Sequence, residues 1–234
     1  SSKDNYPNNL LSNDQNICHK ETYINLNKLQ IQDLKHNPEA LFLTVAKLSA
    51  REACEVLRLV DVNIDVSIGS TTIAHYAALE GNYELFHYLA ESNKFDMTDV
   101  IAAEALKNAI LFRQKAFVSQ LVSTNFNFNI LDSSEVSPLH TASSIGNIDA
   151  MSQIILAGAK VNISTKVGTP LYLAAKLNKP ESVLELFLNG ANLHILSPTK
   201  KTPLDVARRN KNTDVVRLLE FLHSVHARKT LDIL

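Results

Sequence analysis

A pattern that returns every 32 or 33 residues constrains the fold of this chain more than any other feature of its sequence. In its clearest form the pattern predicts a short helix, a tight turn, a second helix and an extended loop. A unit of this length cannot bury its apolar face alone, so the period predicts units that stack in series. The residues that mark the start of each first helix are Glu39, Thr72, Glu104, Ser137, Thr169 and Thr202.

The fourth unit shows how the residues specify this structure. The hydroxyl of Ser137 can cap a helix, and Pro138 suits the first helical position because proline has no N–H to leave unpaired. Gly146 predicts the end of this helix, since glycine adopts the left-handed conformation readily. A second helix is predicted from Asp149 to Leu156, and Gly158 ends it in the same way.

The same motif residues recur in four units and two loops. They occupy Thr72 to Ala78 with Gly81 and Asn82, Ser137 to His140, Thr169 to Ala175, Thr202 to Ala207, Gly158 to Asn162 and Gly190 to His194. From about Asn37 to about His223 the chain therefore resembles the ankyrin repeat family. The resemblance implies an all-α solenoid of helix–turn–helix units with short hairpin-like loops and a right-handed stack.

The spacing also predicts how the chain is divided. Residues 1–36 are an N-terminal extension or cap, residues 37–226 are the repeat array, and residues 227–234 are a C-terminal tail. A cap is expected because an open array exposes an apolar end, although residues 10–36 could instead form a short motif that docks a partner. The six repeats lie near 37–66, 67–98, 99–131, 132–163, 164–196 and 197–226.

The first and third repeats are degenerate. In the third repeat, Arg113 and Gln114 stand where a glycine and a polar capping residue are expected. Its first helix has two candidate starts: near Glu104, as the spacing indicates, or after a cap at Asp99. The repeats on either side keep the period, so we expect a helix pair here as well.

Composition excludes several classes of protein. The chain has 234 residues, of which 45% are hydrophobic, and a net charge of −1, so nothing global predicts binding to nucleic acid or to a membrane. Cys18 and Cys54 are too few and too far apart for a disulfide framework, which favours a reducing, cytoplasmic setting. The polar start without Met suggests a segment of a longer protein, with no signal peptide visible.

We find no candidate active site in the sequence. His75 and His140 are expected to be structural: each ring bonds backbone or hydroxyl groups and ties neighbouring repeats together. Cys18 beside His19 does not make a nucleophile and base, because adjacent residues do not place the ring on the sulfur. We therefore predict a non-enzymatic chain with no catalytic residue, no cofactor and no metal.

Instead, the resemblance implies a protein partner, bound on the concave face formed by first helices and loop tips. Two positions near the end of each first helix should point outward, and their apolar members would form a stripe across repeats two to five. A register error of one residue would place these side chains in the core instead. The predicted partner-binding residues are Leu79, Glu80, Leu111, Phe112, Ser144, Ile145, Lys176, Leu177 and Arg209.

Further candidate features lie outside the stripe. The loop tips form a second candidate surface, and the basic C-terminal end is either a solvated cap or a site for an acidic partner. Asn63, Asn129 and Asn162 should bond loop backbone, and the resemblance implies that such asparagines can be hydroxylated, with Asn162 as the candidate. The loop tips are Ile68 to Ser70, Ser133 to Glu135, Thr165 to Val167 and Thr199 to Lys201.

The predicted role is an adaptor, scaffold or targeting module that is monomeric. The alternative is a substrate-recruiting domain of a larger enzyme, and self-association through the stripe is a third hypothesis. A composition rich in Asn, Lys and Ile is similar to that of ankyrin-like proteins that intracellular bacteria inject into host cells, which predicts an effector in the host cytosol.

Overall fold

The computed structural model describes residues 27–60, 72–91 and 99–231. Within these ranges the chain forms thirteen α-helices, and its β pairing is limited to an isolated bridge between Thr165 and Gly168. The chain divides into two compact units, the first ending at Phe126 and the second beginning at Asn127. Each unit is built from helix pairs, as predicted for an all-α repeat protein.

The first unit consists of one helix followed by three helix pairs. The single helix is α1 (Lys28–His36), and the pairs are α2 (Pro38–Ala46) with α3 (Ala50–Val60), α4 (Ile73–Leu79) with α5 (Tyr83–Glu91), and α6 (Asp99–Leu111) with α7 (Lys115–Val122). The first helices α2, α4 and α6 pack in series, and so do the second helices α3, α5 and α7. Helix α1 packs against α2 and α3, as a cap would, while residues 1–26 lie outside the described residues.

The second unit repeats this arrangement with three further pairs. They are α8 (Pro138–Ile145) with α9 (Ile148–Leu156), α10 (Pro170–Lys176) with α11 (Pro180–Leu188), and α12 (Pro203–Arg209) with α13 (Thr213–Leu231). Helices α8, α10 and α12 form one layer, and α9, α11 and α13 form the other. Each unit is therefore two layers of helices with the core between them.

Apolar side chains from both layers meet in this core. In the first unit, Phe86 and Phe117 are buried with their ring centroids 5.1 Å apart, in an edge-to-face arrangement that aromatic pairs favour. In the second unit, Leu139, Met151 and Leu171 are buried in the core. Neighbouring pairs thus cover the apolar face that no single pair could bury alone.

The third repeat begins earlier than its spacing indicates. Helix α6 starts at Asp99 and has 13 residues, whereas α4 has 7, so Glu104 lies inside the helix and not at its cap. Without a capping Thr and a Pro at this point, the sequence Ile101 to Ala105 consists of good helix formers that extend the helix toward its N-terminus. The start near Glu104 is therefore wrong, and the alternative start at Asp99 is correct.

In the first unit, side-chain amides connect a repeat to the one before it. Asn82, at the start of α5, donates from Nδ2 to the carbonyl oxygens of Ala46 (2.9 Å) and Leu48 in the preceding repeat. Gln114 has the same position before α7 and donates from Nε2 to the carbonyl oxygen of Leu79 at 2.6 Å. These amides satisfy carbonyls at the end of a first helix that have no partner within the helix.

A second set of amides connects the loops. Asn129 donates to the carbonyl oxygen of Gly158 (3.3 Å) and accepts from the backbone N–H of Lys160 (2.7 Å). Asn162 repeats this with Gly190 (3.1 Å) and Asn192 (2.8 Å) one repeat later. The prediction that these asparagines bond loop backbone is confirmed for both residues, while Asn63 lies outside the described residues.

We expect Asn82→Ala to lower the free energy of unfolding by about 2–3 kcal/mol. The substitution removes both inter-repeat donors and also the Oδ1 cap that accepts from the Leu85 N–H at 3.1 Å. Urea unfolding followed by circular dichroism measures the change. Gln120→Ala, at an exposed position in α7, is the matched control and should stay within about 0.5 kcal/mol of the parent; an equal loss in both variants would contradict the role of Asn82.

Candidate functional site

The first helices position the predicted surface, and α2, α4, α8, α10 and α12 each begin at a described cap. Ser137 accepts from the His140 N–H at 3.3 Å, while the Ser137 N–H donates back to Nδ1 of the His140 ring at 3.2 Å. Thr72 and His75 form the same capping box in the first unit, and the Thr169 hydroxyl caps α10. Because these bonds fix where each first helix starts, they also fix which side chains it carries to its far end.

The ring of His140 also connects two repeats. Its Nδ1 accepts a backbone hydrogen bond, so Nε2 carries the proton and donates to the carbonyl oxygen of Gly168 at 3.0 Å. Burial lowers the pKa of His140, although the bond to Gly168 and the charge of Asp132 act in the opposite direction. Burial likewise lowers the pKa of His75, against the charge of Glu104. The structural role predicted for both rings is confirmed in their capping bonds, and the link between repeats is confirmed at His140.

Left-handed turns end the first helices and support the candidate residues. The turn position is occupied by Gly81, Arg113, Gly146, Asn178 and Lys211, each with φ between 55° and 74°. Arg113 thus adopts the conformation of the glycine it replaces. Each candidate residue lies one or two positions before one of these turns.

In the first unit the candidate residues differ in exposure. Leu111 is 41% exposed and Phe112 is 57% exposed, so the turn after α6 presents two large apolar side chains to solvent. Leu79 and Glu80, one repeat earlier, are half-buried. Among the candidate residues of the first unit, Leu111 and Phe112 are therefore the exposed ones.

In the second unit the candidate surface is more polar. Leu177 is 47% exposed beside the exposed Lys176, and Arg209 is exposed in the next repeat. Ser144 and Ile145 are half-buried, and the Ser144 hydroxyl donates to the carbonyl oxygen of Thr141 at 2.8 Å. An apolar residue flanked by cations is the main feature of this surface.

None of the nine predicted residues is fully buried, and five of them are exposed. The continuity of the stripe from one unit to the next stays a prediction. Binding by any of these residues also stays a prediction, since exposure is necessary for contact but does not identify a partner.

The other predicted surfaces are exposed to different degrees. The tips at 133–135 and 199–201 are exposed, and Glu135 pairs with Lys166 of the following loop at 3.6 Å. The tip at 68–70 lies outside the described residues. At the basic end, Arg208 pairs with Glu220 at 2.8 Å, which reduces the net positive charge there.

Sequence reasoning considered the first helices and the loops and missed an apolar row on the second helices. Leu156, Leu188 and Phe221 are 87%, 69% and 61% exposed, respectively. They occupy the same position in three consecutive repeats, 32 and 33 residues apart. A comparison of the last turn of each second helix could have found them.

The described residues contain no group of three or more His, Cys, Asp or Glu side chains placed to hold a metal ion. In the same part of the chain, no helix has the length and apolarity needed to cross a membrane. Cys18 and His19 lie outside the described residues, and the side chain of Cys54 is not described either.

Comparison with known families agrees with the helix pairs. The family model described as ankyrin repeats (3 copies) matches residues 75–165, 106–195 and 139–228 in overlapping registers. These matches extend over both compact units and include the degenerate third repeat. No curated protein matches the chain in sequence.

We expect the free energy of unfolding to decrease as the pH falls from about 7 to about 5. Because burial lowers the pKa of His75 and His140, the unfolded chain takes up protons below about pH 6.5 while the folded chain does not. Each ring therefore lowers the free energy of unfolding by at most about 1.4 kcal/mol per pH unit in this window. Urea unfolding at a series of pH values measures the decline.

Substituting a single histidine tests whether its ring, and not another titrating group, causes the decline in the free energy of unfolding. His140→Gln should show a shallower decline over the same pH range, whereas His36→Gln, at an exposed position in α1, should match the parent. A parent-like decline in the His140→Gln variant would contradict the protonation of this ring as a cause.

Proposed function

We propose that this chain, which belongs to the ankyrin repeat family, binds a protein partner through the far ends of its first helices. Repeats of this family are generally protein–protein interaction modules. The observation that carries the proposal is the exposure of Phe112, at 57%, beside Leu111 on a rigid turn. Large aromatic side chains contribute disproportionately to binding energy when a partner buries them.

The proposed mechanism is presentation of a preformed surface. The turn after α6 is held by backbone bonds from Arg113 and Gln114 to carbonyl oxygens of Ile110 (3.2 Å) and Ala109 (2.8 Å). The amide of Gln114 also holds this turn to the preceding repeat. A partner therefore meets an ordered backbone, and less conformational entropy is lost on binding.

The second unit supports a mixed surface with cationic edges. Lys176 and Leu177 lie side by side, and Arg209 is exposed one repeat further on. We propose that an apolar residue of the partner contacts Leu177 while acidic groups pair with these cations. Such rim charges affect the association rate and its salt dependence more than the affinity.

The finer role is proposed on composition and resemblance. We propose an adaptor, scaffold or targeting module that acts as a monomer in the cytosol, and in the host cytosol if the source is an intracellular bacterium. The low cysteine content and the Asn-, Lys- and Ile-rich composition support this compartment. A translocation reporter fused to the chain would test the effector role.

We keep Asn162 as a proposed hydroxylation site. It is exposed, which supports access, but its amide bonds Gly190 and Asn192, so an enzyme would have to open this loop to reach it. Incubation with an asparaginyl hydroxylase followed by peptide mass spectrometry should show one added oxygen at Asn162, and an unmodified peptide would contradict the proposal.

Phe112→Ser should weaken partner binding by at least about tenfold, because it removes the exposed aromatic anchor without affecting the core. The partner is first captured from eukaryotic cell lysate and identified by mass spectrometry, and the affinity of each variant is then measured by calorimetry. Val100→Ser is the matched control, since Val100 is 47% exposed near the start of the same helix, α6.

Circular dichroism and thermal unfolding first establish that both variants fold like the parent. Loss of binding in Phe112→Ser alone would support binding at the first-helix surface, which consists of the candidate residues at the ends of the first helices. Loss in Val100→Ser alone, or unchanged binding in Phe112→Ser, would contradict it.

A further inference from the structure

The second-helix layer of the second unit carries a row of exposed apolar side chains that the first-helix surface does not use. Leu156, Leu188 and Phe221 are each the ninth residue of their helix, in α9, α11 and α13. They are 87%, 69% and 61% exposed. Since α11 packs against both α9 and α13, the three residues stand side by side across the layer.

These side chains are not required for the core. The residues two positions earlier in the same helices, Ile154, Leu186 and Leu219, are fully buried in the core. The first unit has polar residues at the equivalent position, Glu91 and Ser123. A large apolar residue at this position is therefore specific to the second unit.

An acidic row runs parallel to the apolar one. The second residues of these helices are Asp149, Glu181 and Asp214, and all three are exposed. Each lies seven residues before its apolar counterpart, which places it on the same helix face about 10 Å away. Helices α9 and α11 contain three acidic residues and no basic one, whereas α13 adds Arg217 between the rows.

The two rows define the chemistry of a complementary partner. Packed helices lie about 8–10 Å apart, so the apolar row offers one contact roughly every 9 Å. A helix laid across α9, α11 and α13 advances about 10 Å in seven residues and would meet each contact with an apolar side chain. Lysine or arginine on one flank of that helix would reach the acidic row, because their long side chains extend past the apolar contact.

We propose that this layer is a docking surface for a basic amphipathic helix of a partner protein. Leu156, Leu188 and Phe221 supply the apolar contacts, and Asp149, Glu181 and Asp214 select for positive charge. An anionic lipid surface would be repelled by the same acidic row. This site lies on the layer of second helices, whereas the surface proposed above lies at the ends of the first helices. The two proposals are therefore independent of each other.

The test uses two synthetic helical peptides of about 18 residues, with leucine at every seventh position to match the spacing of the row. One carries lysines on a single flank, and the other carries glutamates at the same places. Fluorescence anisotropy with the full chain should show saturable binding of the lysine peptide. The glutamate peptide should bind at least about tenfold more weakly.

Leu188→Ser should weaken binding of the lysine peptide by at least about tenfold, because an apolar contact that the peptide would bury is lost. Leu196→Ser removes a 50% exposed leucine from a loop and is the matched control, expected to bind like the parent. Glu181→Gln should weaken binding several-fold and reduce its salt dependence. If Leu188→Ser does not fold, Leu156→Ser, at the most exposed residue of the row, replaces it.

Several results would overturn the proposal. The first is that the lysine and glutamate peptides bind with equal affinity. The second is that Leu196→Ser weakens binding of the lysine peptide as much as Leu188→Ser does. The third is that the chain binds anionic vesicles and that Leu188→Ser abolishes this binding. Concentration-dependent sedimentation that Leu188→Ser abolishes would instead assign the row to a second copy of the chain. Phe112→Ser should leave peptide binding unchanged, so failure here is distinguishable from failure of the first-helix surface.

Discussion

Hydrogen bonds from side-chain amides to the backbone of the neighbouring repeat hold the helix pairs of each unit in register. A short helix pair leaves carbonyl oxygens unpaired where its first helix ends, and the solvent cannot reach all of them once the next pair packs there. Asn82 and Gln114 satisfy these groups in the first unit, and Asn212 does so in the second, donating to Ala175 at 2.8 Å. Apolar packing supplies the stability, but these directional bonds determine the position of one pair on the next.

Register matters because both proposed surfaces depend on it. Phe112 is at the end of a first helix and Leu188 at the end of a second helix, and neither is part of the core. The scaffold therefore separates stability from recognition: residues that fill the space between layers fix the geometry, and residues at the helix ends are available to a partner. The same separation explains why the family of the chain does not identify its partner.

Much of this architecture could be predicted from the sequence, because the signals are local. A hydroxyl followed by proline marks the start of α8, α10 and α12, and a left-handed residue marks their ends. The capping and inter-repeat hydrogen bonds of His140 and the loop hydrogen bonds of Asn129 could be predicted because each residue occupies a recurring position of the repeat. The start of α6 was ambiguous because Glu104 supplies neither a capping hydroxyl nor a following proline, and the helix extends back to Asp99 through residues that favour helix.

The apolar row on the second helices required three-dimensional information. In sequence, Leu156 belongs to a continuous apolar run with Ile154 and Ile155, and periodicity alone does not separate a core position from an exposed one at a helix end. Exposure shows the difference, because Ile154 is buried and Leu156 is not. The exposure of Phe112 was predictable for the opposite reason, since the turn after it places it outside the regular helix.

The left-handed turns have a consequence for how the protein opens. Arg113 and Lys211 hold a conformation that costs a residue with a Cβ atom about 1–2 kcal/mol, which Gly81 and Gly146 avoid. Glu135, Asn178 and Lys200 hold the same conformation elsewhere in the described residues. The packing and hydrogen bonds around each turn keep it in place while the repeat is folded, so the strain is released only after local opening, and closing the turn again then costs more than at a glycine.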